Sequence, residues 1–218
     1  MYHMIDLFDF SHTRCADYLQ HFDYPWEALK GIREMIIELG QSLPQSEFDQ
    51  IAPQVWVHKT ATIAPSAYLG TPCIIGAGTE VRHGAFIRSS ALIGDGCVVG
   101  NSVELKNVIL FDKVQVPHFN YVGDSILGYK AHMGAGSITS NVKSDHSPVV
   151  IHAEAPIATG MKKVGAMLGD NAEIGCNSVL NPGTIIGRNS TVYPLCSVRG
   201  NVPENSIYKT SGVIVTKK

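Results

Sequence analysis

The segment Tyr68-Leu-Gly-Thr-Pro-Cys-Ile-Ile-Gly-Ala-Gly-Thr-Glu-Val81 decides the fold, because an aliphatic residue stands at every sixth position and glycine follows two of them. The same period continues without a slip through Val57, Ile63, Leu69, Ile75, Val81, Ile87, Ile93, Val99 and Leu105. A second run comprises Leu168, Ile174, Leu180, Ile186, Val192 and Val198. Neither an α-helix, with about 3.6 residues per turn, nor simple strand alternation produces this spacing, whereas a short strand and a turn every six residues does.

Stacked turns of this kind predict a parallel β-helix from about Val55 to Val198. The aliphatic residue of each hexad fills the interior, and each turn buries its apolar edge on the next. Cys73, Cys97 and Cys196 occupy a position that other hexads fill with small residues. We therefore interpret them as buried fillers and not as nucleophiles, and we expect all cysteines of the chain to be reduced.

The period is disturbed between the two runs. It shortens by one residue twice, giving Leu110, Val116, Val122, Leu127 and Met133, and it is lost from about Thr139 to Gly165. So long a stretch without regular structure is uncommon in a compact fold. It indicates a functional excursion or, as the alternative, a tolerated surface insertion.

The first fifty residues follow another pattern. Helical spacing relates Leu29, Ile32, Ile36 and Leu39, and Pro25 and Gly40 stand near the two ends, so residues 23–39 are predicted to form an amphipathic helix. Residues 13–19 are a candidate for a shorter helix. We therefore divide the chain into a helical segment, residues 1–50, and a β-helix, residues 51–218. The helical segment is expected to pack against the β-helix or against a partner subunit.

The composition argues against nucleic-acid and membrane partners. The chain has 218 residues, of which 17 are basic and 19 acidic, and 44% are hydrophobic. No basic run is longer than Lys217-Lys218, and no apolar run approaches the roughly 20 residues that a membrane span needs. Asp6 and Asp9 interrupt the N-terminal apolar residues in a way that a signal peptide does not. We expect a cytoplasmic protein that binds neither nucleic acid nor membrane.

Several motifs carry a specific resemblance. Val103-Glu-Leu-Lys-Asn107, Pro117-His-Phe-Asn-Tyr-Val-Gly-Asp124 and Met133-Gly-Ala-Gly-Ser-Ile-Thr-Ser-Asn141 resemble the acetyltransferase domain of the bacterial bifunctional N-acetylglucosamine-1-phosphate uridyltransferase. Thr159-Gly-Met-Lys-Lys-Val-Gly-Ala166 is similar to the archaeal bifunctional sugar-1-phosphate nucleotidyltransferase/acetyltransferases. The resemblance implies an all-β fold, a left-handed parallel β-helix with three hexads per coil. It does not extend to the nucleotidyltransferase domain, so uridylyl transfer is predicted to be absent.

The resemblance also implies catalytic residues. His118 matches the general base of the family, Glu104 the carboxylate that orients this base, and Asn141 an asparagine of the substrate site. A neutral imidazole is a natural base for accepting an amine proton near neutral pH. Considered without the motif, His118 would be interpreted as a surface turn histidine. Lys143 is a weak counterpart of a family lysine that follows the asparagine.

The implied sugar-phosphate positions are Arg88, Lys106 and Tyr121. Arginine offers a planar fork and lysine a point charge to phosphate. The alternatives are a solvated surface position for either cation and a structural salt link for Lys106. His132 stands in the substrate site where the family has another asparagine, which leaves the identity of the amino sugar open.

The family takes acetyl-CoA as co-substrate and requires no metal for acetyl transfer. By resemblance, coenzyme A would lie near Ala135, Lys163, Ala166, Cys176 and Pro194, in a homotrimer whose sites lie between subunits. We thus predict an acetyl-CoA-dependent N-acetyltransferase that acts on an amino-sugar 1-phosphate of the glucosamine 1-phosphate type. The alternative is a non-catalytic β-helix subunit that binds a sugar phosphate, or that assembles with a separate nucleotidyltransferase through its N-terminal helix.

Overall fold

The computed structural model describes residues 2–153 and 155–217. Met1, Glu154 in the predicted excursion and Lys218 of the terminal lysine pair lie outside the described residues. From Val55 onward, short strands stack in parallel into a β-helix, which confirms the predicted all-β fold. The left-handed course stays a prediction from the resemblance.

The β-helix has three faces, A, B and C. Face A contains Val55–His58, Cys73–Ile75, Ala166–Leu168, Thr184–Ile186 and Asn201–Val202. Face B contains Thr62–Ile63, Glu80–Val81, Val98–Asn101, Gln115–His118, His132–Met133, Glu173–Ile174, Thr191–Val192 and Ser206–Tyr208. Face C contains Tyr68–Leu69, Ile138–Thr139, Val179–Leu180 and Ser197–Val198. Three longer strands begin on face C and continue onto face A: Phe86–Ile93, Glu104–Leu110 and Tyr121–Leu127. We name the corners AB, BC and CA after the faces that they join.

The pairing register shows three hexads per coil. Cys73 pairs with Val55 and with Ala91, eighteen residues away on either side. From Ala91 the step to the paired residue, Val108, is seventeen residues, and the step from Val108 to Ser125 repeats it. The two shortenings of the sequence period are therefore two coils that are each one residue short.

The interior is built as the period predicts. Ile75 and Leu105 are fully buried, and the burial of such a side chain contributes about 1.5–3 kcal/mol. Cys73, Cys97 and Cys196 are buried beside the aliphatic residues, which confirms them as fillers. Burial raises the pKa of the Cys73 and Cys97 thiols to about 12, so neither forms a thiolate near neutral pH.

The segment predicted as an excursion is inserted into a single coil. Leu127 pairs directly with Leu168, forty-one residues later in the sequence, whereas the preceding coils take seventeen or eighteen residues. The additional residues follow the face C strand Ile138–Thr139 and precede the face A strand Ala166–Leu168. Within the excursion, Val150–Ile151 and Ile157–Ala158 form a short antiparallel hairpin that the sequence analysis did not predict. The hairpin gives the excursion a structure of its own.

The N-terminal segment packs along the β-helix, as one of the two expectations had it. It contains the α-helices Met4–Leu7, Ala16–Leu19 and Ile32–Ser42, the 3-10 helices Phe10–His12 and Pro25–Gly31, and then the strand Phe48–Ala52. The backbone carbonyl of His12 accepts a hydrogen bond from Asp112 N–H, and Arg14 forms an ion pair with Asp95. At the other end of the chain, the 3-10 helix Thr210–Gly212 precedes Ile214–Thr216, which pairs antiparallel with Ser206–Tyr208. No helix of the described residues is long and apolar enough to span a membrane.

The single helix predicted for residues 23–39 is wrong in its bounds. The structure divides it at Gly31 into a 3-10 helix and an α-helix, and the α-helix continues past Gly40 to Ser42. Gly40 does not end the helix, because its role is steric: a Cβ atom at this position would collide with the ring of Trp56. The glycine therefore permits close packing of the helix on the first coil.

Candidate active site at corner BC and face C

His118 lies at the end of a face B strand, where the chain turns through corner BC. The carbonyl of His118 accepts a hydrogen bond from Gly136 N–H at 3.0 Å in the next coil. In the following coils the carbonyl of Ala135 accepts from Asn177 N–H at 2.9 Å, and that of Cys176 accepts from Leu195 N–H at 3.0 Å. His118 and three predicted coenzyme A positions, Ala135, Cys176 and Pro194, thus follow one another along a single corner.

The backbone around His118 is held by Asn120, which the sequence analysis did not single out. Asn120 is buried, its side-chain oxygen accepts from His118 N–H at 3.1 Å, and its amide group donates to the carbonyls of Gly134 and Ser137. The imidazole itself is exposed and forms no hydrogen bond with any of the described residues. The backbone at His118 is therefore held by hydrogen bonds, while the imidazole ring of His118 is unengaged, that is, without a hydrogen-bond partner among the described residues.

Glu104 is not paired with His118. It lies at the start of its strand on face C, where its carboxylate is 3.2 Å from a guanidinium nitrogen of Arg88. Both side chains are partly exposed, at 34% and 55%. The structure thus brings together two predicted site residues, but as a carboxylate–guanidinium pair and not as the predicted carboxylate–imidazole pair.

Asp124, which the sequence analysis included in a motif without a role, organises the other end of face C. Its side chain is 5% exposed and lies 3.0 Å from the ammonium group of Lys106. Asn107 donates to the same carboxylate at 2.9 Å and Asn141 at 2.5 Å. The salt link considered for Lys106 therefore exists, with Asp124 as its partner, and it fixes the cation at corner CA.

Tyr121 joins this cluster through Asn141, whose amide group donates to the Tyr121 hydroxyl at 3.2 Å. Partial burial, and then the negative charge of Asp124, raise the pKa of the Tyr121 hydroxyl. Tyr121 therefore stays a neutral hydrogen-bonding group well above neutral pH. Within the sheet, Tyr121 pairs with Glu104 of the preceding coil. Face C therefore connects the Asp124 cluster with the Arg88–Glu104 pair.

Three predicted site residues lie outside this arrangement. His132 is on face B, where its Nδ1 atom is 2.8 Å from a carboxylate oxygen of Glu173 in the next coil. Ala166 is fully buried at the start of a face A strand, and its N–H donates to the Ser125 hydroxyl. Lys163 is exposed in the last residues of the excursion. Lys163 and Ala166 are thus separated from the other predicted coenzyme A positions at corner BC.

Two family models match the chain. The GMPPB C-terminal domain matches residues 71–159, and the bacterial transferase hexapeptide model, with six repeats, matches residues 165–200. The first match contains the predicted catalytic residues His118, Glu104 and Asn141. The second contains Cys176 and Pro194.

Curated relatives also match the chain. The bifunctional protein GlmU of Methanococcus maripaludis strain C5 is 34% identical over 116 residues, which are 53% of this chain and 28% of the relative. The chain therefore spans less than a third of the length of that relative. The putative uncharacterized acetyltransferase YaiX of Escherichia coli K12 is 30% identical over 173 residues, with 71% of each chain covered.

Solved structures of low sequence identity also align with the chain. A hexapeptide transferase family protein from Anaplasma phagocytophilum has 17% identity and a TM-score of 0.43, covering 74% of this chain and 78% of that one. A mutant of perosamine N-acetyltransferase from Caulobacter crescentus, in complex with CoA and GDP-perosamine, has 20% identity and a TM-score of 0.40, covering 73% and 55%. The sequence matches with known relatives confirm the resemblance predicted from the motifs, and the chain belongs to the hexapeptide-repeat family of acyltransferases.

Proposed function

We propose that the protein is an acetyl-CoA-dependent N-acetyltransferase that acts on an amino-sugar 1-phosphate, with glucosamine 1-phosphate as the first candidate. One observation carries the proposal: the unengaged imidazole of His118 lies three residues before Tyr121, at the edge of the face that holds Arg88 and Lys106. A base at one edge of this face and two cations toward its other edge suit an acceptor that has both an amine and a phosphate.

In the proposed reaction His118 accepts the proton of the attacking amine. The amine nitrogen forms a bond to the thioester carbonyl carbon, the carbon–sulfur bond breaks, and the leaving thiolate takes up a proton to give free coenzyme A. Asn120 serves as a positioning residue, because its hydrogen bonds hold the turn that carries His118. Glu104 contributes a carboxylate to the same region, and its place beside Arg88 ties it to the phosphate end of the acceptor.

Arg88 and Lys106 would bind the acceptor phosphate. Arg88 uses one guanidinium nitrogen for Glu104, which leaves further N–H donors for phosphate oxygens. Asp124 holds the Lys106 ammonium group, and the Lys106 side chain is 22% exposed, so the ammonium group would offer its remaining donor from a fixed position. Tyr121 and Asn141 would complete the sugar pocket as neutral hydrogen-bonding groups.

The acyl donor would lie along corner BC, beside Ala135, Cys176 and Pro194. A donor at this corner would lie next to His118, because these residues follow His118 on successive coils. Lys163 and Ala166 lie near corner CA, so they would serve the same donor only across a subunit boundary. The proposed homotrimer would supply such a boundary.

The alternative, assembly with a separate nucleotidyltransferase through the N-terminal helix, stays a prediction. The apolar residues Ile32 and Ile36 of that helix are buried within the chain itself. His132 is paired with Glu173 on face B, apart from the Asp124 cluster, so a sugar-selecting role for His132 would require the site to include a neighbouring subunit.

The test is thiol release from acetyl-CoA by the purified chain, with glucosamine 1-phosphate, galactosamine 1-phosphate and the corresponding free amino sugars as acceptors. We expect turnover that depends on the 1-phosphate. Equal turnover with the free sugars would contradict the phosphate roles of Arg88 and Lys106. Absence of turnover with every acceptor, from protein shown to be folded by circular dichroism, would contradict the proposed function.

A further inference from the structure

A pocket of about 340 Å³ lies beside the first coil, where the α-helix Ile32–Ser42 ends. Its lining includes Gly40 of that helix, Phe48 and Gln50 of the strand that follows, and Trp56 of the first face A strand. The volume falls within the range of small-molecule sites, about 300–1,000 Å³. The helical segment and the β-helix thus form this pocket together.

Glutamines are concentrated at this pocket. Four of the six glutamines of the chain line it: Gln41, Gln45, Gln50 and Gln54. None of their side-chain amides forms a hydrogen bond with any other residue that the structure describes. A primary amide has two N–H donors and an oxygen that accepts. The pocket is therefore lined by residues whose donors and acceptors no part of the described protein occupies.

Trp56 adds a further donor without a partner. The residue is only 7% exposed, and a buried tryptophan usually finds a hydrogen-bond acceptor for its N–H group. The indole N–H of Trp56 forms no hydrogen bond within residues 2–153 and 155–217, and it is not one of their fully enclosed polar atoms. The small accessible part of Trp56 therefore includes its donor, beside a large apolar ring.

The lining is uncharged. None of the described residues that line the pocket has an ionisable side chain. The ammonium group of Lys59 approaches from outside, but it donates to the carbonyls of Gln45 and Ser46 and lies 4.0 Å from the carboxylate of Asp49. Transfer of a charged group out of water is costly unless an opposite charge pairs with it. The pocket therefore disfavours phosphates and other ions and favours a neutral ligand.

The pocket is remote from the proposed site of acetyl transfer. Three successive strand pairings separate Trp56 from Ile109, which belongs to the coil that carries His118. Trp56 is also on face A, whereas His118 lies at corner BC, between the other two faces. A ligand in this pocket would therefore overlap neither the proposed acceptor nor the proposed coenzyme A.

We propose that this pocket binds an uncharged saccharide, at a ligand site separate from that of acetyl transfer. Sugar hydroxyl groups both donate and accept hydrogen bonds, as the glutamine amides do. The C–H groups of a sugar ring can bury apolar surface against carbon atoms such as those of Trp56 and Leu43. The ligand class follows from the combination of unpartnered amides, apolar ring surface and an uncharged lining.

Fluorescence titration of the full chain with glucose and with N-acetylglucosamine tests the proposal. The chain has two tryptophans, and Trp26 is buried outside the pocket, so Trp26→Phe leaves Trp56 as the sole reporter. We expect a saturable change of Trp56 fluorescence with at least one of the two sugars. No saturable change with either sugar would overturn the proposal. If Trp26→Phe does not fold, saturation-transfer NMR of the sugars with the wild-type protein makes the same measurement.

Glutamine variants assign the binding to this pocket. The double variant Gln41→Ala/Gln50→Ala should bind the sugar about tenfold more weakly, because two hydrogen bonds to the ligand are lost. Both side chains are exposed, so the fold should be retained. Gln20→Ala is the matched control, since Gln20 is an exposed glutamine outside the pocket. Equal affinities of the wild type and the double variant would overturn the proposal.

A charged sugar tests the ligand class. Glucosamine 1-phosphate should bind at this pocket more weakly than the better of the two neutral sugars, as measured by Trp56 fluorescence, because the pocket has no charge to pair with the phosphate. Equal or tighter binding of the phosphate at this pocket would overturn the assignment to uncharged saccharides. These titrations require no acetyl transfer, so their outcome is independent of whether the proposed function holds.

Discussion

The ammonium group of Lys106 lies 3.0 Å from the carboxylate of Asp124 in the most buried ion pair of the described residues. The two residues stand on adjacent coils, at the corner where the strands pass from face C to face A. Asn107 and Asn141 bond to the same carboxylate, so four side chains from three coils meet at one negative charge. This cluster connects the stability of the fold with the position of a proposed substrate-binding cation.

Asp124→Asn should destabilise the protein by about 3 kcal/mol, because Lys106 loses its counter-charge and the amide group opposes the donors of Asn107 and Asn141. The free energy of unfolding in urea is the measurement. Glu80→Gln breaks the exposed Arg82–Glu80 pair and should change stability by less than about 1 kcal/mol. Similar losses in the two variants would show that the Asp124 cluster has no special structural role.

His118→Ala should lower the rate of acetyl transfer by about two to four orders of magnitude, the usual contribution of a general base. His83→Ala is the control, since His83 occupies the same turn position two coils earlier: the carbonyl of His83 accepts from Ser102 N–H, as that of Asn101 accepts from Phe119 N–H. Both variants should unfold at the wild-type temperature. If His83→Ala reduces the rate as much as His118→Ala, His118 is a surface turn histidine and not the base.

Gly40→Ala should destabilise the protein by about 2 kcal/mol, although alanine is the better helix former, because the added methyl group overlaps the Trp56 ring. Thermal unfolding checks this effect, and tryptophan fluorescence reports the displacement of the ring. Gln41→Ala, an exposed position in the same helix, should leave stability unchanged or raise it slightly. A stabilising effect of Gly40→Ala would contradict the steric role of the glycine.

Stability should fall as the pH rises from about 10 to about 12, in part through Tyr18. Burial raises the pKa of Tyr18 to about 12, from 10.0, and its hydroxyl donates to the carbonyl of Ala28. The folded protein retains the phenol proton to higher pH than the unfolded chain does, so this stabilisation is complete below pH 10 and is lost toward pH 12. Urea midpoints at pH 9 and pH 11 should differ less in Tyr18→Phe than in the wild type. An equal difference would exclude this contribution of Tyr18.

The repeat was predictable because the residues within each hexad are enough to predict its strand and its turn. Val55 and Cys73 are neighbours in the fold because the period alone places them three hexads apart. The period did not predict the contact of Asp124 with Lys106, because that contact depends on the length of the short coil between them. In the sequence the two residues are simply charges eighteen positions apart.

Other contacts depended on information that a local pattern does not contain. Gly40 has the position of a helix terminator in the sequence, and only its packing on Trp56 shows why the helix continues. His132 reaches Glu173 across the whole excursion, which no spacing rule relates to the repeat. Whether Glu104 pairs with Arg88 or with His118 likewise depends on side-chain geometry, which the motif alone does not fix.

The pairing of Leu127 with Leu168 completes a coil whose other strands, His132–Met133 and Ile138–Thr139, pair as in the rest of the β-helix, so the excursion that follows Thr139 is additional to the scaffold. The strands of this coil pair with the coils on either side, so the excursion itself contributes little to the stability of the β-helix. Lengthening such a loop costs only about 0.6 kcal/mol for each doubling. Evolution or a protein engineer can thus exchange the excursion as a replaceable module while the architecture beneath it is inherited unchanged.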